Sequence, residues 1–182
     1  YVFQRADVKA VVVFGEALAV TAVIGAISFV VVDLGRPDRL WHLLPVIGHF
    51  NFPRSMLAWD VVVLTGYLAL NVAIPAYVLY GHFRGRPPAL GTYFPFVVVS
   101  IFWAISIHTV TAFLLASNQA RPFWNISLLA PRFIASAFVS GPALIIISLQ
   151  LVRRFGRFPV HQEAINLLAV IMATSLWISM FF

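Results

Sequence analysis

Two ionisable residues stand inside stretches that are otherwise apolar. Asp60 interrupts Met56-Leu57-Ala58-Trp59-Asp60-Val61-Val62-Val63-Leu64, and His108 interrupts Ile105-Ser106-Ile107-His108-Thr109-Val110. A carboxylate at the centre of a membrane helix costs roughly 2.5–3.5 kcal/mol on insertion scales, so it is rare there and marks a substrate, ion or proton pathway. An imidazole titrates near neutral pH and can donate a hydrogen bond through one ring nitrogen while accepting through the other. An acid and a histidine at similar depth can therefore hold a small polar group and exchange protons with it.

These residues need elements that carry them to a common depth. The chain has 182 residues, of which 62% are hydrophobic and 10% charged. A soluble domain is roughly 45–50% apolar and about 25% charged, so the composition specifies an integral membrane protein. Five apolar runs, at 9–32, 55–81, 92–116, 132–152 and 162–182, are long enough to cross a hydrocarbon core that takes ~20 helical residues. None alternates apolar with polar residues, so the expected fold is all-α and polytopic, a single membrane domain over 1–182. The net charge of +6 comes from short basic clusters between these runs, a topology signal and not a nucleic-acid stripe. Arg5, Lys9, Arg84, Arg86, Arg153, Arg154 and Arg157 share the N-terminal side, which the positive-inside rule places in the cytoplasm. Arg36, Arg39, Arg54, Arg121 and Arg132 lie on the other side. Tyr1 in place of a methionine and the still-apolar Phe181-Phe182 suggest an internal piece of a longer subunit.

The connections on the non-cytoplasmic side echo one another. Gly35-Arg36-Pro37 is followed by Trp41-His42, and Ala120-Arg121-Pro122 by Trp124-Asn125. Pro53-Arg54 opens the second span as Pro131-Arg132 opens the fourth, a position that suits a residue without an N–H. Two related hairpins forming a four-helix bundle are the simplest arrangement. In such a bundle Asp60, His108, Asp33 at the end of span one and Arg132 at the start of span four converge on a polar pocket in the outer half of the membrane. Thr109, Thr111, Ser136 and Ser140 can supply hydroxyls, and Trp59, Trp103 and Phe113 flat apolar walls. Glu16 lies deeper, toward the cytoplasm, and Thr21, Ser28 and Thr65 could pass protons between it and the pocket.

Plainer readings compete. Asp60 could pair with Arg54 or Arg132 and only fix helix packing, and His108 could only hydrogen-bond across helices. Asp33 and Asp38 beside Arg36 and Arg39 read as loop ion pairs, and His42, His49, His82 and His161 are interfacial with no assigned chemistry. A transmembrane b-type haem calls for axial histidines from two helices at matching depth, but His108 alone is deep, and there is no cysteine for a cluster or a thiolate metal site. No haem and no iron–sulfur cluster are therefore expected in this chain. A carboxylate and a histidine in an aromatic-walled pocket can instead bind a quinone, hydrogen-bonding its carbonyls and accepting the protons of the quinol.

Several motifs then match a known family in order. Asp33-Leu34-Gly35-Arg36-Pro37-Asp38-Arg39, Pro53-Arg54-Ser55-Met56-Leu57-Ala58-Trp59-Asp60, Ser106-Ile107-His108-Thr109-Val110-Thr111-Ala112-Phe113, Arg121-Pro122-Phe123-Trp124-Asn125 and Leu129-Ala130-Pro131-Arg132-Phe133 resemble the NrfD/polysulfide reductase membrane-subunit family. The resemblance implies a quinone-interacting membrane subunit of a respiratory oxidoreductase in a prokaryotic cytoplasmic membrane. Menaquinone or ubiquinone would bind exchangeably, and the partners would be an iron–sulfur protein and a further catalytic or cytochrome subunit. In the alternative complex III branch a quinol-site acid matches Asp60, but a histidine stands where this chain has Asp33, and a further acid falls near Leu114. Those departures shift the expected branch toward the sulfur-metabolism and hydrogenase-linked members, including the sulfite-reduction-associated complex. Two readings from other classes compete: an ion or proton transporter using Glu16 and Asp60, and a purely structural anchor.

Overall fold

The computed structural model describes residues 9–44, 46–86, 88–156 and 160–182. Among them are five long helices and no strand: α1 (Lys9–Asp33), α2 (Met56–Phe83), α3 (Leu90–Ala116), α4 (Leu129–Phe155) and α5 (Gln162–Phe181). Each is long and apolar enough to cross a membrane. Two short 3-10 helices, η1 (Pro37–Leu43) and η2 (Pro122–Trp124), follow α1 and α3.

Helix ends depart from the apolar runs by a few residues, each for a local reason. Ser55 caps α2 by accepting the Ala58 N–H at 3.3 Å, so the helix starts at Met56. α4 begins at Leu129, three residues before the predicted start, because Pro131 is tolerated in a first turn whose N–H groups have no intrahelical partner. It also runs past the predicted end at 152, since Arg153 and Arg154 favour the negative end of the helix dipole. Pro75, Pro95 and Pro142 sit inside helices, as membrane helices allow.

α1 packs on α2, α2 on α3 and α3 on α4, and a lighter contact between α1 and α4 closes a ring of four; α5 packs along α4. At one end Val11, Leu149 and Ala164 form a buried cluster joined by Phe14, Ile145 and Leu168, tying α1, α4 and α5 together. Across the ring α2 and α3 approach closely at Gly66, where an added Cβ would lie 2.5 Å from Trp103 Cζ2. The Trp103 indole N–H, held over this glycine, donates to the Val63 carbonyl at 2.9 Å. Small residues permit such close approach in membrane bundles, and a cross-helix hydrogen bond adds to it.

The motif echo has a structural counterpart. Arg36 (φ −134°, ψ 72°) and Arg121 (φ −125°, ψ 84°) have nearly the same backbone conformation, and in each case the following proline opens a 3-10 helix. Gly35, at φ +61°, makes the turn out of α1. The echo breaks at the next helix: Pro53-Arg54 lies in the turn before α2, whereas Pro131-Arg132 lies inside α4.

Candidate functional site

Asp60 lies in the second turn of α2 and is only 2% exposed, the one buried polar or charged residue among those described. Its carboxylate meets α3, where Thr111 Oγ1 donates to Oδ1 at 2.8 Å. On its other side is a cavity of about 400 Å³ bounded by α1, η1 and α2. Ile27 and Val31 of α1, Leu34 just after it, Trp41 and Leu44 at η1, and Leu64 of α2 give this cavity apolar walls. Asp60 and Thr65 are the polar residues of α2 that reach it. Among the described residues no fully buried side-chain nitrogen or oxygen lacks a partner. Thr111 is the only side chain among them bonded to Asp60, so Oδ2 is open to the cavity.

The other residues that the sequence singled out are dispersed around this centre. His108 lies one turn from Thr111 on the same face of α3, and its Nδ1 is 2.8 Å from the Ala104 carbonyl. A carbonyl only accepts, so Nδ1 carries a proton there, and Nε2 is the ring nitrogen left for another partner. His108 lines neither the Asp60 cavity nor the cavity among α3, α4 and α5. Asp33, Arg54 and Arg132 are exposed, and Asp60 makes no ion pair with either arginine. The ion pair seen among the described residues joins Arg36 and Asp38 at 3.1 Å, both well exposed. Glu16 is half-buried on α1. Thr21 and Ser28 donate to carbonyls of their own helix, those of Ala17 and Leu18 for Thr21 and that of Ile24 for Ser28, while Thr65 lines the Asp60 cavity.

The aromatic wall comes from an unexpected residue. Trp59 follows its own route, donating its indole N–H to the Pro53 carbonyl at 2.9 Å and packing on Phe52 with ring centroids 4.5 Å apart. Neighbours in a helix point about 100° apart, so Trp59 and Asp60 do not face one cavity. Trp103 is spent on the α2–α3 contact and Phe113 is exposed. The flat wall is Trp41 of η1, stacked on His42 at 3.8 Å. Its signal in the sequence is the tight Gly35-Arg36-Pro37 turn, which folds the loop back over the α1–α2 seam.

A second cavity, about 520 Å³, lies among α3, α4 and α5 and is lined by Thr109, Pro131, Ile134, Phe138, Ser175 and Ile178, among others. It is larger but contains no ionisable residue, and the Thr109 hydroxyl is already given to the Ile105 carbonyl. No group of three or more His, Cys, Asp or Glu that could hold a metal ion occurs among the described residues.

Fold and site define a multi-pass, all-α membrane protein with one carboxylate buried between helices and open to an apolar cavity. The chain belongs to the polysulphide reductase, NrfD family, whose model matches residues 1–182. It is 28% identical over 159 residues (79% of this chain, 36% of the relative) to a Halobacterium salinarum protein provisionally named as a membrane subunit of dimethyl sulfoxide reductase. It is 27% identical over 170 residues (92% and 40%) to the Hdr-like menaquinol oxidoreductase integral membrane subunit of Archaeoglobus fulgidus. A selenate reductase subunit of Mesobacillus selenatarsenatis is 24% identical over 178 residues (80% and 41%). The chain thus spans about two fifths of the length of these relatives. No solved structure matches it.

Proposed function

We propose that this chain forms the quinone-binding part of a membrane subunit in a respiratory oxidoreductase, passing reducing equivalents between the quinone pool and an iron–sulfur partner. The observation that carries the reading is the Asp60 carboxylate: buried in a membrane helix, held on one oxygen by Thr111, and open on the other to an apolar cavity. A cavity of about 400 Å³ falls within the roughly 300–1,000 Å³ typical of small-molecule sites. Mostly apolar walls with one convergent polar group suit a ring with polar carbonyl edges and a hydrocarbon tail. Family membership supports the same reading, and one relative carries menaquinol in its name.

A bound quinol supplies two electrons and two protons. Asp60 Oδ2 accepts a hydrogen bond from the head group and takes its two protons in turn, the second after the first has passed on, Thr65 offers a second polar contact, and Trp41 covers the ring. Asp33, next to the cavity residue Leu34, and Arg132, in the first turn of α4, would shape the approach from the outer side of the membrane. His108, one turn from Thr111 with Nε2 free to accept, receives the proton from the Asp60 side. Glu16, with Thr21 and Thr65 as intermediate hydroxyls and ordered water between them, belongs to a route toward the N-terminal side, which faces the cytoplasm. Electrons leave to a partner subunit with iron–sulfur clusters, backed by a further catalytic or cytochrome subunit. The membrane is the cytoplasmic membrane of a prokaryote, and the quinone is menaquinone or ubiquinone.

The test uses the full-length subunit in its native complex. Asp60→Asn is expected to leave assembly intact and to abolish quinone-linked turnover, while the catalytic partner still reacts with an artificial electron carrier. Normal quinone-linked turnover in Asp60→Asn would remove the basis of the proposal.

A further inference from the structure

Hydroxyl groups on membrane helices ordinarily satisfy themselves at home, by donating to a carbonyl one turn back. This chain follows that habit closely. Thr21, Ser28, Ser100, Ser106, Thr109, Ser117, Ser140 and Thr174 all donate to carbonyls of their own helix or its end. Thr111 does not: its hydroxyl crosses from α3 to α2 and donates to Asp60 Oδ1 at 2.8 Å, between residues 51 apart in sequence.

That exception falls on the one buried carboxylate among the described residues, and its geometry divides the two oxygens. Oδ1 is tied to α3, which leaves Oδ2 without a side-chain partner among the described residues and not fully buried, while Asp60 lines the cavity bounded by α1, η1 and α2. An aspartate with a free rotamer could turn its carboxylate along the α2–α3 seam, where Trp103 and Gly66 already pack tightly. We infer that Thr111 is the positioning residue of this site: by holding Oδ1 it aims Oδ2 into the cavity and fixes the acceptor against which a quinone head group is bound. The inference rests on the quinone reading above and adds to it a residue outside the cavity that sets the site's geometry. Thr111 acts through Asp60 and does not touch the ligand.

Three variants of the full-length subunit in its native complex test this, assayed for kcat and KM with a short-chain quinol and by infrared spectroscopy of the carboxyl region. Thr111→Val keeps the branched shape and deletes the donor, Thr111→Ser keeps the donor, and Asp60→Asn removes the carboxylate's proton-accepting oxygen while leaving an amide oxygen for Thr111. We expect Thr111→Val to lower kcat/KM about 10-fold or more, as loss of a hydrogen bond to a charged group does. Thr111→Ser should stay within about 3-fold of the unmodified subunit, because it keeps the hydroxyl donor. The Asp60 carboxyl band should move in the Val variant and return in the Ser variant. If the Val variant fails to assemble, Thr111→Ala is read in its place. An unmoved carboxyl band and unchanged kcat/KM in Thr111→Val, with Asp60→Asn inactive, would overturn the inference and leave the quinone reading standing. Normal turnover in Asp60→Asn would overturn both.

Discussion

The hairpins α1–η1–α2 and α3–η2–α4 are built from the same parts and end with different interiors. Each leaves its first helix through an Arg-Pro pair in matching backbone conformation and carries a tryptophan just beyond. In the first hairpin the 3-10 helix runs for seven residues, and Trp41 folds over a cavity that contains Asp60. In the second it lasts three residues, and Trp124 sits under the Arg121 guanidinium, 4.9 Å from its ring centre. Counted from Arg54 and Arg132, Asp60 and Phe138 are equivalent in sequence, each six residues on, and each lines the cavity of its own hairpin. A repeated scaffold thus carries one polar site and one apolar one. The difference comes from a longer cover and a single carboxylate, and not from cavity size, since the apolar cavity is the larger.

The comparison breaks first if the two positions prove interchangeable. Asp60→Asn is expected to lower quinone-linked kcat/KM by about 100-fold or more, the scale of a lost general base, whereas Phe138→Ala should leave it within about 2-fold. Combining Asp60→Asn with Phe138→Asp should not restore turnover, since η2 provides no roof for the second cavity. Quinol-oxidation assays on the assembled complex check all three.

Packing separates the hairpins next. Gly66→Ala forces a methyl against the Trp103 ring and should destabilise the subunit by about 1–3 kcal/mol, the usual cost of overpacking. Gly141→Ala on α4 meets nothing within 4 Å and should change stability by less than about 0.5 kcal/mol. Unfolding of both variants in detergent measures the contrast, and equal effects would mean that the α2–α3 seam is not the tighter one.

Of the two tryptophans, Trp41 should matter to the ligand and Trp124 should not. Trp41→Ala is expected to raise the KM for quinol about 10-fold with kcat largely kept, as loss of a binding wall does, while Trp124→Ala leaves both constants unchanged. The smallest effect concerns the seam itself. Trp103→Phe deletes the indole N–H bonded to Val63 and should cost about 0.6 kcal/mol, the average for a hydrogen bond between membrane helices, read by the same unfolding assay.

Most of the fold is legible in the sequence, because membrane spans are written in long apolar runs that hold little else. The four-helix ring follows from the Arg-Pro echo, whose two copies do adopt one backbone conformation. Helix ends are misplaced where a proline or an arginine reads as a boundary although the end of a helix accepts it, as at Pro131 and Arg153. The site is legible in part. Asp60 declares itself by composition, since it is one of the few ionisable residues inside an apolar run. Its partner does not: Thr111 is one of several hydroxyls of equal promise, and only the rotation of α3 against α2 selects it. Trp59 is a false wall because adjacency in sequence suggests adjacency in space, which a helix forbids. Trp41 lies in an aperiodic loop, where no repeat reveals which way a side chain turns.

The central claim is that the quinone head group meets Asp60 in the cavity of the first hairpin. Photo-crosslinking of the native complex with a quinone bearing a photoreactive group on its ring tests it most directly. The account predicts label on Ile27, Trp41, Leu44, Asp60 and Thr65, competed away by excess quinone and lost in Asp60→Asn. Label concentrated on Thr109, Phe138 and Ser175 in the second cavity, indifferent to Asp60, would contradict it.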